Sequence, residues 1–434
     1  MMPQTAEQPA QDKGATTGAP AESGAAPAPL PLLDTPRDGV PAVIDTQSGL
    51  ERAAKALAAG TGPAAVDAER ASGYRYGQRA FLVQIRREGA GTWLIDPEPF
   101  ENLLIINQAL SGVEWILHAA TQDLPCLSEL GMRPDRLFDS ELAARLAGLP
   151  RVGLAAVIQE LLGFTLAKEH SAADWSTRPL PEPWLRYATL DVEVLTDVRE
   201  RLIELLDSQS KLDYALQEFE AIRSTPPPVP RTDPWRRTSG MHQLRDRRKL
   251  AAVRALWAER EQLAKNRDVA PGRLIPDSAI VAAAKSMPST VPQLLSTNGF
   301  HGRAAKKDAP RWLRCLNEAR TTTDLPALHV PTNAPPPPRV WAEKDSEAAA
   351  RLNTAKPRLA ALATRLNMPV ENLLSPDTLR RISWRPPKPI SPESVAVRLQ
   401  ELGARNWQVD LTSAIITVAF LDPEPLPVRA TPEE

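Results

Sequence analysis

The chain has 434 residues, of which 42 % are hydrophobic and 24 % charged, with 44 prolines and a formal net charge of −1. That length admits two to four domains with real cores, and the prolines assign part of it to linkers. The longest apolar runs, such as Ala414–Phe420, are far short of the ~20 residues that span a bilayer, and the amino terminus has no basic-then-apolar leader pattern. A cytoplasmic protein without membrane attachment is expected. Cys126 and Cys315 lie far apart, with no metal-ligand spacing, and read as reduced thiols.

Residues 1–40 are rich in Ala, Pro, Gly, Gln and Thr and read as a disordered tail. Residues 41–223 alternate strand-like and helix-like stretches, the pattern of an α/β domain. Pro41 to Ile44 opens a first strand, and Thr46 to Ala59 is an amphipathic helix. The runs around Ala65–Glu69, Phe81–Ile85 and Thr92–Asp96 read as a strand meander. A helix over Glu101–Leu110 and a strand at Trp115–His118 follow, then helices at 121–130, 140–147, 153–162 and 182–207. Residues 224–238, containing Pro226, Pro227, Pro228 and Pro230, form a stiff extended linker. Residues 239–320 read as all helical, with Leu250, Val253, Trp257 and Ala264 on one face. A second linker covers 321–343. The segment 344–422 carries helices at 345–366, 376–382 and 392–402, and Ile415–Phe420 fits a strand or a buried helical turn. Residues 423–434 are a tail.

The near-zero net charge hides a division. Residues 41–223 hold 18 Lys/Arg against 27 Asp/Glu, a balance of −9, whereas 231–320 hold 19 against 8, a balance of +11. A basic module tethered to an acidic one can hold a phosphate backbone while cations mask the carboxylates. Arg245, Arg247, Arg248 and Lys249 are the densest basic cluster, and Arg273, Lys306, Lys307 and Arg311 are further candidates for RNA-phosphate contacts. No Gly-rich phosphate loop ending in Gly-Lys-Ser/Thr occurs, so an intrinsic ATPase is not expected.

Asp67 and Glu69 lie two apart in an apolar run, so a strand puts both carboxylates on one face. Tyr187 and Asp191, four apart, share a face of a helix. Asp123 follows the strand Trp115–His118 near the start of a helix. Four carboxylates without a Cys or His cluster suit Mg²⁺ or Mn²⁺ and not zinc. Each group has an ordinary alternative: a solvated strand edge for Asp67 and Glu69, a helix N-terminal acid for Asp123, a core tyrosine for Tyr187.

The segments Val66–Glu69, His118–Asp123 and Tyr187–Asp191 resemble, in order and spacing, the three exonuclease motifs of the DEDD superfamily in its Tyr-x-x-x-Asp variant. The match is closer to ribonuclease D, carried also by Arg75–Ile85 and Lys168–Leu180. Arg267–Asp277 resembles the loop between helices of the HRDC domain, and residues 344–422 suggest a second, divergent HRDC-like module. The resemblance covers about residues 41–320. It implies a ribonuclease H-like α/β exonuclease domain, a mixed sheet flanked by helices, followed by all-α HRDC-like domains. It implies 3′–5′ hydrolysis of RNA ends with release of mononucleotides and tRNA precursors or other small structured RNAs as substrates. No obligate protein partner is indicated. Two divalent cations would clamp the attacking and departing oxygens. Asp67 would bridge them, Glu69 and Asp191 would hold the nucleophile-side ion, Asp123 the leaving-group ion, and Tyr187 would orient the water. Gln78, His118, Lys168, Ser171, Asp174, Trp175 and Arg178 are candidate substrate contacts, with Arg79 beside them. The alternatives are the same fold acting on DNA and a catalytically silent RNA-binding adaptor. A chain ending near residue 225 is expected to keep its chemistry on short oligomers.

Overall fold

A computed structural model describes residues 30–166, 170, 172–227, 229 and 231–425. The expected contacts Lys168 and Ser171 lie outside the described residues, as do residues 1–29 and 426–434 of the two expected tails.

The strands of the first domain are β1 (Leu32–Leu33), β2 (Val43–Ile44), β3 (Thr61–Arg70), β4 (Ala80–Glu88), β5 (Gly91–Ile95), β6 (Glu114–Leu117), β7 (Arg136–Asp139) and β8 (Thr165–Leu166). Six form one mixed sheet in the order β2-β5-β4-β3-β6-β7, and β1 pairs with β8 in a separate parallel ribbon. The meander is present: β3, β4 and β5 pair antiparallel. β6 joins β3 in parallel and β7 joins β6 in parallel, through helical connections. The flanking helices are α1 (Gln47–Ala59), α2 (Leu104–Ala109), α3 (Leu124–Glu129), α4 (Ser140–Leu146), α5 (Leu154–Leu162), α6 (Glu182–Glu193), α7 (Leu195–Ser208) and α8 (Leu212–Ser224). α1 forms for legible reasons: the Thr46 hydroxyl accepts from Gly49 N–H, and Leu50, Ala53, Ala54 and Leu57 recur at helical spacing to make a buried stripe.

Two expectations change, and one open alternative is decided. Residues 30–40, read as tail, hold fixed positions: β1 adds to β8, and the Arg37 backbone N–H donates to the buried Glu193 carboxylate at 3.1 and 3.2 Å. The helix expected over 182–207 breaks at Val194, next to that contact. Ile415–Phe420 is helical, because its apolar residues continue the buried face of a longer helix.

The next module is all helical: α9 (Arg247–Arg267), α10 (Pro271–Leu274), α11 (Asp277–Ser286), α12 (Val291–Leu295), α13 (Arg303–Lys307) and α14 (Ala309–Thr321). It has a core of its own around Leu250, Val253, Leu256, Phe300 and Trp312. The last six helices are α15 (Trp341–Lys344), α16 (Ser346–Arg365), α17 (Val370–Leu373), α18 (Pro376–Trp384), α19 (Pro392–Glu401) and α20 (Asn406–Leu421). Their core is continuous with that of the first domain. Among the described residues no helix is long and apolar enough to cross a membrane, and both cysteines are buried thiols.

Candidate active site

Because β3 and β6 run parallel and adjacent, their carboxyl ends lie side by side. Asp67 and Glu69 leave the last turns of β3, and the loop after β6 carries Asp123. α6 packs across β3, β4 and β5 and presents Tyr187 and Asp191 from above. One carboxylate oxygen from each of Asp67, Glu69 and Asp191 lies within 4.8 Å of the other two. Glu69, Asp123 and Asp191 are buried and Asp67 is half-buried.

Asp123 stands beside this trio. Its field raises Glu69, and Asp67 raises it in turn. Although Asp123 occupies the N-cap position of α3, its side chain makes no capping hydrogen bond. One of its oxygens instead takes Arg70 Nη2 at 3.2 Å, and Arg70 Nη1 donates to the Gln122 carbonyl. The Tyr187 hydroxyl hydrogen-bonds Asp191. Behind Tyr187 the fully buried Trp175 ring packs 6.5 Å from it and 5.4 Å from Trp184, centroid to centroid.

The charges cannot all exist unaided. Burial, then the neighbouring Asp67, Asp191 and Asp123, hold Glu69 well above the ordinary carboxylate range. Burial and Asp67 do the same to Asp191, against the Tyr187 hydrogen bond. Burial raises Asp67, offset in part by the Ala68 N–H and Arg70. Asp123 is pushed up to about 8 by burial and Asp67. Tyr187 is raised too, by burial and the Asp191 and Glu69 charges, so its hydroxyl keeps its proton. Oxygen donors of this number and hardness fit a divalent cation, whose charge would let them ionise together.

The remaining expected contacts are mostly committed to the fold. His118 Nδ1 is 2.9 Å from the Ser140 hydroxyl, and burial pushes the ring down to about 4, leaving it neutral. Trp175 is core. Arg178 forks onto Asp96 at 2.5 and 2.8 Å and donates to the Phe81, Trp175 and Thr177 carbonyls, which leaves it no reach toward a substrate. Asp174 accepts from the hydroxyl and N–H of Ser176. Gln78 lies in the exposed β3–β4 loop, not in a strand, and accepts from Ser72. Arg79 forks onto Asp268 of the second module at 2.9 and 3.0 Å.

The basic cluster changes character as well. Arg247 caps the Leu325 and Pro326 carbonyls and Arg248 those of Ala319 and Thr322. Arg273 donates to the Gly73 carbonyl and Arg311 pairs with Glu259. Arg245, Lys306 and Lys307 are exposed and Lys249 is half-buried.

Two residues that the sequence did not flag shape the site. Arg70 is one. Asp139 is the other: buried, it accepts from Ala119 and Ala120 N–H at 3.1 and 2.9 Å, pinning the loop that leads to Asp123, where Ala119 has a φ of 61°. Its side chain also caps α4, accepting from the Glu141 and Leu142 N–H groups.

Residues 41–207 match the model described as a 3′-5′ exonuclease, 249–316 match the HRDC domain, and 334–420 match the 3′ to 5′ exonuclease C-terminal domain. The last match, to a C-terminal domain found with such exonucleases, covers most of the segment 344–422 that was expected to be a second HRDC-like module. Ribonuclease D of Granulibacter bethesdensis is 30 % identical over 276 residues, which are 62 % of this chain and 67 % of that protein. Across the first curated relatives, all ribonucleases D, the chain spans 54–67 % of their length. A crystal structure of a protein from Bifidobacterium adolescentis superposes with a TM-score of 0.82 at 40 % identity, over 91 % of this chain and 100 % of that one. Escherichia coli RNase D, described as an exoribonuclease involved in structured RNA processing, superposes with a TM-score of 0.62 at 25 % identity, over 83 % and 98 %. An exonuclease domain with three acidic motifs, an HRDC module after it and this likeness along the chain lead to one conclusion: the chain belongs to the ribonuclease D family.

Proposed function

We propose that this chain is a 3′–5′ exoribonuclease that hydrolyses the terminal phosphodiester of RNA, releases nucleoside monophosphates, and trims tRNA precursors or other small structured RNAs. The observation that carries this reading is the meeting of Asp67, Glu69 and Asp191 from two distant segments within 4.8 Å, with Asp123 and Tyr187 beside them. Asp67, Glu69 and Asp191 would hold one Mg²⁺ or Mn²⁺, and Asp67 with Asp123 a second. Such ions supply acidity to a bound water and charge stabilisation to a departing oxygen.

The chain's own groups do the rest. Tyr187, protonated, donates its one O–H to Asp191, so its oxygen is left to accept from the attacking water and orient it, and it does not serve as the base. Asp191 accepts from that hydroxyl and fixes its direction. Trp175 packs against the ring, with Trp184 packed in turn on Trp175, and excludes solvent behind it. Arg70 holds Asp123 through one oxygen and leaves the other for a ligand.

The test is incubation with 3′-extended RNA and matched DNA, with EDTA or Mn²⁺. Stepwise shortening of RNA in Mn²⁺ alone is expected. Asp67→Asn should fold and bind RNA yet lose more rate than the roughly 100-fold of an outer-shell change. Preferential cleavage of the DNA would replace this reading with a deoxyribonuclease, and binding without cleavage would replace it with an adaptor.

A further inference from the structure

Gln84 lies on β4 directly opposite Asp67 in the antiparallel pair. Residues so paired share a face of the sheet, with Cβ atoms about 5 Å apart. Gln84 is therefore on the face that carries Asp67 and Glu69, beneath α6. It is completely buried, at 0 % exposure. Neither its Oε1 nor its Nε2 has a hydrogen-bond partner among the described residues.

A buried carboxamide with both ends unpaired costs roughly 1–3 kcal/mol. An apolar side chain of the same length, such as methionine, would carry no such cost and would fill the same space. In this position the glutamine weakens the fold unless a partner arrives. Directly across the strand pair stands the Asp67 carboxylate, an acceptor on the same face. Groups that hydrogen-bond a metal ligand from behind set its orientation and its affinity.

Resting on the cation-site reading above, we propose that Gln84 is a positioning residue. Its amide N–H is the hydrogen-bond donor to the Asp67 carboxylate in the cation-loaded protein and fixes the direction in which that carboxylate presents its other oxygen. Gln84 has no contact with substrate in this account. It acts through Asp67.

The experiment compares the full chain with Gln84→Met and Gln84→Leu. Mn²⁺ binding is measured by titration calorimetry and thermal melting is followed in EDTA. Gln84→Met should bind Mn²⁺ about 10–100-fold more weakly and melt in EDTA at the wild-type temperature or above it. A purely structural glutamine would do the opposite: the variant would melt lower and bind Mn²⁺ as before. Gln84→Leu repeats the comparison with a branched side chain should the Met protein not fold. Mn²⁺ affinity within twofold of wild type, or a lowered melting temperature in EDTA, would overturn the proposal. Failure of the wild-type protein to bind Mn²⁺ at all would instead overturn the cation-site reading beneath it.

Discussion

Glu69 illustrates how the acidic site trades stability for function. It is buried and faces three other carboxylates, with Arg70 as the opposing cation. Its carboxyl is held well above 4.5, and Asp123 beside it is pushed to about 8. Groups raised in this way bind more protons folded than unfolded. Their contribution to stability is complete below pH 4 and is lost as pH rises toward 8. The cation-free protein should therefore melt lower at pH 8 than at pH 5.5, and added Mn²⁺ should raise the melting temperature more at pH 8. Glu69→Gln removes the charge while keeping the shape. In EDTA it should be more stable than wild type by about 1–3 kcal/mol at pH 8, with the gap closing at pH 5.5 and the Mn²⁺ response diminished. Melting curves of the two proteins across that range check the sign. Asp67, Glu69 and Asp191 were legible because each carries a local spacing, two apart on a strand or four apart on a helix, and Asp123 through the resemblance of its segment. Arg70 and Asp139 were not, since the acceptor of one and the loop pinned by the other depend on how β3, β6 and β7 line up.

The β3–β4 loop, residues 71–79, shows what an element adds. Gln78 and Arg79 in it read from sequence as possible substrate contacts, and the fold commits Arg79, with the neighbouring aromatic and basic residues, to a junction. Asp268, in the left-handed region just after α9, accepts a fork from Arg79, a 3.6 Å pair from Arg75 and the Tyr76 N–H. Ala270 N–H donates to the Tyr74 carbonyl, and the Arg273 guanidinium lies 4.2 Å from the centre of the Tyr74 ring. On the other side, Arg75 Nε donates to the Ser176 hydroxyl at 2.7 Å, next to the Trp175 that packs on Tyr187. The HRDC module is thus one short chain of contacts from Tyr187. Pairs separated by nearly two hundred residues have no signature in local spacing, which is why this junction was not legible. A double-mutant cycle on Arg79→Ala and Asp268→Ala should give a coupling of roughly 0.5–1 kcal/mol, modest because both side chains are partly exposed. On oligomers too short to reach the HRDC surface, Asp268→Ala should lower kcat more than it raises KM. An unchanged kcat would show that the junction fixes domain placement and nothing at the site.

At the scale of the molecule, the three modules are not equally independent. The HRDC module closes its own core. The C-terminal helices do not, and complete the core of the exonuclease domain. Trp407 of α20 stacks on Tyr214 of α8 with centroids 4.7 Å apart and donates to Glu218 at 3.1 Å. Arg405 pairs with the same Glu218 at 3.2 Å. The buried Lys211 ammonium donates to the Leu146 carbonyl at 2.7 Å and to the Asn367 carbonyl at 3.2 Å, one from each domain. Gly148 has φ +81, and a Cβ there would meet the Asn367 carbonyl oxygen. An expected division into modules was legible from proline clusters and charge. The sharing of a core was not, because an apolar face does not announce what covers it. A chain ending near residue 225 would uncover α8, leave Glu218 without Trp407 and Arg405 and leave Lys211 without Asn367, so the expectation that it keeps its chemistry does not follow from the fold. Such a chain should melt well below the full protein and aggregate, and Trp407→Ala in the full chain should cost roughly 3–5 kcal/mol. Removal of the C-terminal helices then abolishes activity through loss of the fold, whereas mutation of Asp67 abolishes it in a protein that melts normally. Melting curves and cleavage assays run side by side on the two variants separate these causes, and a truncated chain that melts like the full one and still cleaves short RNA would show that the exonuclease core closes without α20.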